Sequence, residues 1–227
     1  MAKRISMSEA DHALVTQAVA KAEQHTDAEI VTIVARRSDA YHDVGLHWAI
    51  LCAFLVAAFA AAFPHLYEQM LIWLLGEWTH ELPLRMLLLF LLGHMILKFL
   101  AVRYLLAIPA LRMAVTPGAT KSRRVRRRAL LLFRTAAEAR TAKLTGVLLY
   151  LSLDEHRAEI VADEAIAGKV SPAVWGEAMA ALVDEVRAGR IAQGMALAVE
   201  KAGLILAEHC PRSGDNPNEL PDRLIEL

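Results

Sequence analysis

Hydrophobic positions recur with three different rhythms along this chain. From Val44 to Tyr67 there is no Asp, Glu, Lys or Arg at all, and a second apolar run, Leu84 to Val102, carries only Arg85 and Lys98. About 20 mostly apolar helical residues cross the roughly 30 Å hydrocarbon core of a bilayer. Both runs reach that length, with Arg85 and Lys98 able to snorkel towards an interface. The pattern predicts two transmembrane helices, about 45–66 and 84–106, forming a hairpin. The uncharged circumference of the first helix argues against a buried soluble hairpin. The polar, amphipathic stretch Met1–Ala40 has no apolar region near its start, so the runs are read as retained helices rather than a signal peptide.

Outside the hairpin the rhythm changes. Ser8 caps a helix with Asp11 at the third position, a short-acid capping box, and Ala10, Leu14, Ala18 and Ala22 then recur at helical spacing to about Gln24. Glu29–Ala35 (EIVTIVA) is β-branched and reads as a buried strand. Further on, Arg123–Arg140 predicts a basic helix with Val125, Ala129, Leu132, Phe133 and Ala136 on one stripe. Gly146–Leu153 and Ala158–Ala162 predict an antiparallel strand pair around a turn at Asp154–Arg157. Two helices follow, Ser171–Ala188 with Ser171 as cap and Pro172 at its first position, and Ile191–Glu208, separated at Gly189. From Pro211 the chain is expected to be extended.

Charge orients the hairpin. The connector Pro64–Pro83 holds Glu68, Glu77 and Glu81 but no Lys or Arg, whereas Arg36, Arg37, Arg103, Arg112, Lys121 and the run Arg123–Arg128 flank the helices. Basic flanks mark the cytoplasmic side. The expectation is an integral protein of a bacterial inner membrane with both soluble segments cytoplasmic. Tyr67, Trp73 and Trp78 would form an outer aromatic belt. The 56% hydrophobic fraction lies above the roughly 45–50% of soluble domains, and the excess falls in the hairpin. Cys52 and Cys210 have neither disulfide nor metal spacing and read as reduced thiols.

Neither soluble segment can bury a sheet face alone. Residues 1–43 and 113–210 are therefore expected to join into one three-layer α/β domain. It is of Rossmann-like type with a mixed sheet, interrupted by the hairpin at 44–112 and followed by a tail at 211–227. The first strand should lie parallel to the second.

Particular segments resemble the TPM domain family, named after a thylakoid-lumen protein, a photosystem II repair protein and an acetylcholine-receptor modulator. They are Asp27–Val31, Thr145–Leu153, Glu155–Asp163, Arg187–Gly189 and Gly194–Leu197. The resemblance covers about residues 5–37 and 123–210 and skips the hairpin. It implies the TPM fold, and calcium binding or a weak acid phosphatase activity as in some members. The chain departs from the family pattern at Thr145-Gly146, where many members have Asn-Gly, and at Ala162-Asp163-Glu164, where many have Gly-Tyr-Gly.

Candidate chemistry is sparse. Asp154 and Glu155 leave a strand at a turn and could meet Asp39 or Asp43 above the sheet, a hard-oxygen set for Ca2+ or Mg2+. Asp163 and Glu164 should lie at the far end of the same hairpin. His65, His80, Glu68, Glu77 and Glu81 form a zinc-compatible set that a solvated loop explains as well. His47 and His94 fit hydrogen bonds within or between membrane helices. No HExxH, GxSxG, Walker A or GxGxxG motif is present, and Ser152 reads as structural. Arg123, Arg124, Arg126, Arg127 and Arg128 read as topology signals or as a lipid-facing basic helix. Nucleic acid is not expected, because formal net charge is zero and aromatic platforms are lacking.

The leading expectation is a membrane-anchored binding or assembly module with membrane lipids and a membrane protein as partners, acting in maintenance of membrane protein complexes as the resemblance implies. The alternatives are a metal-dependent phosphatase of TPM type and a transporter or channel accessory subunit.

Overall fold

Seven consecutive residues, Glu29–Ala35, are buried in β1, which explains why the sequence there is almost wholly apolar and β-branched. The computed structural model describes residues 7–75, 83–136, 145–171, 173–213, 220 and 222–227. The chain divides into two units, Met1–Asp39 with Gly118–Leu227, and Ala40–Pro117.

In the first unit β1 pairs in parallel with β2 (Gly146–Ser152), from Glu29↔Gly146 to Ala35↔Ser152. β2 pairs antiparallel with β3 (Arg157–Ala162). The two segments thus complete one α/β fold, as their separate insufficiency required. A fourth strand was not foreseen. β4 (Ile225–Glu226) lies parallel to β1 on its free side, giving the mixed order β3-β2-β1-β4. The tail is therefore folded back, not merely extended. Leu220 is buried and its N–H donates to Glu29 Oε2 at 3.2 Å, while Ser213 donates to Asp27 through both N–H and Oγ.

Helices cover both faces. Ile30, Val34, Val147, Leu149 and Leu151 point towards α1 (Glu9–Glu23), α8 (Gly176–Arg187) and α9 (Ile191–His209). Val31, Ile33, Leu148 and Tyr150, one residue out of phase, meet Val125, Ala129 and Phe133 of α6 (Gly118–Ala136). The short α7 (Glu164–Ala167) contributes Ile166 to the first core.

Ser8 and Asp11 do form the capping box. The buried stripe of α1 is rotated from the expected one, however: Val15, Ala18, Val19 and Ala22 pack inwards while Ala10 and Leu14 are exposed. A Cβ on Gly203 would stand 2.7 Å from Ala22 Cβ, so glycine there lets α9 touch α1. Ser171 does not cap α8. That helix starts at Gly176 after a turn, with Trp175 buried in the core and Gly189 closing it at φ +79°. α6 begins at Gly118, five residues before the expected Arg123.

The second unit is helical. α2 (His42–Ala62) and α4 (Leu84–Leu105) are long and apolar enough to cross a membrane, with mean hydropathy 2.2 and 1.9 over their best windows. They pack together, and Gly45 near the start of α2 faces Leu106 just beyond the end of α4. The connector, expected as a loop, holds α3 (Pro64–Leu75), with Pro64 at its start. Tyr67 is not a belt residue. It is buried against Phe90 and His94, its hydroxyl 3.3 Å from His94 Nδ1, whereas Trp73 is exposed. Trp78 lies outside the described residues. α5 (Pro109–Val115) closes the unit.

Candidate functional site

Because β1 and β2 run parallel in register, both end at one edge, where ligands commonly sit in open α/β sheets. The loop after Ala35 therefore lies beside the turn after Ser152. Backbone bonds fasten the two: Leu153 N–H donates to Ala35 O at 3.0 Å and Asp154 N–H to Arg36 O at 2.8 Å. His156 takes a left-handed conformation, φ +51°, to close the turn into β3.

Side chains complete the edge. Glu155, 5% exposed, accepts from Ser38 N–H at 2.9 Å through Oε1 and from the Ser152 hydroxyl through Oε2. Ser38 Oγ lies 3.0 Å from Tyr150 Oη. Burial pushes the Tyr150 hydroxyl above its usual pKa, against the hydrogen bonds from Ser38 and Ser152; Glu155 adds to the rise and Arg128 opposes it. Ser152, wholly buried, is a member of this network, in keeping with a structural role.

The expected metal set is placed at this edge, but each carboxylate is engaged by protein groups. Asp154 Oδ2 accepts from Arg37 Nε and Nη2, with Arg36 at 3.8 Å. Asp39 pairs with Arg124 of α6. Glu155 faces serine donors. Asp43 belongs to the helical unit. Asp163 lies at the opposite end of the sheet, where its Oδ2 accepts from Gly146 N–H at 2.7 Å. Among the described residues no three His, Cys, Asp or Glu side chains gather into a metal-holding group. His65 and Glu68 stand 3.7 Å apart in α3, while Glu77, His80 and Glu81 lie outside the described residues.

The arginine run is sorted by the helix that carries it. Arg126 reaches Glu159 of β3 at 3.7 Å, and burial raises the Glu159 pKa despite Arg126 and Arg157 nearby. Arg128 faces the Tyr150 end of the network. Arg123 and Arg127 are exposed and carry no hydrogen bond or ion pair among the described residues. With Thr120 and Arg124 they line a groove of about 300 Å3. These four residues follow the i, i+3, i+4, i+7 rule and so share one helix face, opposite Val125 and Ala129. On that face Arg124 is held by Asp39, while Arg123 and Arg127 reach into solvent.

Arg37, Ser38, Tyr150 and Thr120 were not foreseen as members of the site. Arg36 and Arg37 had been read only as charge signals. The tyrosine and serine signal was the period-2 alternation of β2, which puts Leu148, Tyr150 and Ser152 on one face.

Residues 111–204 match the TPM domain family, a stretch running from α5 into α9. The NMR structure of BA42 protein from the psychrophilic bacterium Bizionia argentinensis is similar in fold, with a TM-score of 0.56 at 18% identity over 100% of both chains. No curated protein sequence matches the chain. The carboxyl-terminal part is thus similar to TPM domains, on an α/β fold with a four-stranded mixed sheet.

Proposed function

We propose that this chain is a membrane-anchored TPM-type binding module. Its α2–α4 hairpin spans the bilayer, and its α/β unit works on the cytoplasmic side in the assembly or upkeep of membrane protein complexes. The observation that carries the reading is α4: none of its residues is buried, and Leu84, Leu88, Leu89, Leu92, Ile96 and Leu97 are all more than half exposed. Burying a large apolar side chain is worth about 1.5–3 kcal/mol. Leaving these six in water would cost on the order of 10 kcal/mol, comparable with the whole stability of a domain. A lipid environment removes that cost. The basic flanks Arg103, Arg112 and Arg123–Arg128 support the cytoplasmic orientation. The exposed pair Arg123 and Arg127 gives the α/β unit a face for anionic lipid or an acidic partner segment.

The test is fractionation followed by labelling. The chain should stay in the membrane pellet through carbonate extraction at high pH. In a Cys52→Ala, Cys210→Ala background, Thr79→Cys should react with an impermeant thiol reagent in intact cells and Lys169→Cys only after permeabilisation. Release by carbonate would remove the spanning hairpin, and reversed labelling would invert the topology.

A further inference from the structure

On the face of the α/β unit away from α6, two helices leave an open groove. α1 and α9 run parallel, because their contacts advance together along both: Lys21 with Glu200, Ala22 with Gly203, and Thr26 with Cys210 beyond the two ends. Beside the close approach of Ala22 and Gly203 lies a groove of about 230 Å3. Its lining is mostly apolar, with Ala18 and Ala22 from α1 and Gly203, Leu204 and Ala207 from α9. The spacing i, i+3, i+4, i+7 puts Glu200, Gly203, Leu204 and Ala207 on one face of α9, and Ala18, Lys21 and Ala22 likewise share a face of α1.

Leu204 projects from this face. It is 75% exposed, more than any other large apolar side chain among the described residues of the α/β unit, although the opposite face of α9 is core. A single exposed leucine is ordinary on a protein surface; here it borders a recess of the same apolar character. The charges beside the groove are of both signs. Lys21 Nζ lies 3.8 Å from Glu200 Oε1, with the two side chains 70% and 51% exposed. The patch therefore carries a knob and a recess, a cation and an anion. A surface of that kind is complementary to itself under a two-fold rotation, the arrangement of an isologous dimer. A partner of different sequence would call for one member of each pair; both together fit a second copy of the same patch.

We propose that the α1–α9 face is the interface between two copies of this chain, with Leu204 of each copy seated in the groove of the other and Lys21 of each facing Glu200 of the other. An apolar centre inside a charged rim is the usual anatomy of such contacts. Both helices belong to the α/β unit, so the inference is independent of the membrane reading of α2 and α4.

The experiment measures the mass of the full chain in a neutral maltoside detergent by sedimentation equilibrium. The native chain should form a dimer that dissociates on dilution. Leu204→Glu should weaken it by about tenfold or more, the effect of losing one central anchor, while leaving the Tm of the chain unchanged, since that side chain is mostly in water already. Lys21→Glu and Glu200→Lys each set like charges against each other across the two-fold axis, so each alone should dimerise more weakly than the native chain. Mixed in equal amounts, the two variants should form a dimer with one another. A pair that acted only within one chain would show no such recovery, because mixing cannot restore an intramolecular contact. This mixing test stands on its own if Leu204→Glu misfolds. A native chain that stays monomeric at about 100 μM, where micromolar contacts associate, would overturn the interface. A dimer that Leu204→Glu leaves intact, or charge variants that fail to complement, would overturn it equally. Carbonate extraction reads the hairpin alone, so either inference can fall without the other.

Discussion

Arg37 grips Asp154 with Nε at 2.9 Å and Nη2 at 2.7 Å, both on the same carboxylate oxygen, Oδ2. The contact ties the end of β1 to the turn beyond β2, two segments that the helical insert separates in sequence. It also occupies a carboxylate that the sequence offered to a cation.

Millimolar Ca2+ or Mg2+ should therefore leave the Tm of the native chain unchanged. Arg37→Ala should lower stability by about 1 kcal/mol, as expected of a partly buried pair with two charged hydrogen bonds. Differential scanning fluorimetry with and without metal checks both statements. A metal-dependent rise in the native chain, abolished by Asp154→Asn, would restore the metal site.

Glu155 is more costly to remove than its length suggests. It is the acceptor for Ser38 N–H and for the buried Ser152 hydroxyl. Glu155→Ala strands both donors at about 1–3 kcal/mol each, so a loss of about 2–6 kcal/mol is expected in urea denaturation. Ser152→Ala should cost less, since Glu155 keeps Ser38. An equal loss in the two variants would contradict this.

Glu23 makes stability depend on pH. Burial is the main cause that raises its pKa from 4.5 to about 8, with Glu29 and Asp222 adding to the rise; the Ile30 N–H bond and Arg212 oppose it. The folded state thus holds a proton that the unfolded state releases near 4.5. Its contribution is complete below that value and fades as pH rises through about 8, with a limiting slope of about 1.4 kcal/mol per pH unit. Glu23→Gln keeps the acceptor for Ile30 N–H and should flatten this decline. Tm measured from pH 5 to pH 8 in both proteins decides it, and parallel curves would exclude Glu23 as the source.

The exposed arginines of α6 should respond to lipid charge. In nanodiscs of mixed phosphatidylglycerol and phosphatidylcholine, amide exchange across Thr120–Arg127 should be slower than in phosphatidylcholine alone. Raised salt should diminish the difference. Arg123→Gln with Arg127→Gln should remove it, at about 1 kcal/mol of surface attraction per charge. Identical exchange in both lipids would leave the arginines as topology signals only.

Much of the fold was legible because its signals are local. Five β-branched residues in a row, Ile30–Val34, read as a buried strand, and Ser8 with Asp11 announces a helix start. Gly189 supplies the positive φ that ends α8. Joining the two soluble segments followed from the inability of either to cover a sheet. β4 was illegible because two residues in a polar tail carry no periodicity, and their pairing depends on the open side of β1. α3 was hidden by an uncharged run that reads as one helix until Pro64 interrupts it. The division of labour among the arginines rests on partners such as Asp39 and Glu159, which no spacing on α6 reveals. The shared face of Thr120, Arg123 and Arg127 was there to be read from helical period alone.

The pairing of β1 with β2 also sets a timetable. Glu29 and its partner Gly146 lie more than a hundred residues apart. At a synthesis rate of about 5–20 residues per second, β1 waits about 6–25 s for its first neighbour to be made. β4 arrives later still. During that interval EIVTIVA is a short, nearly uncharged, strongly β-prone segment with both edges open, the composition most given to sticking to copies of itself. The helical insert that separates the strands is thus also a delay line. The earliest strand of the sheet is the one that most needs a chaperone's cover while the ribosome finishes its partners.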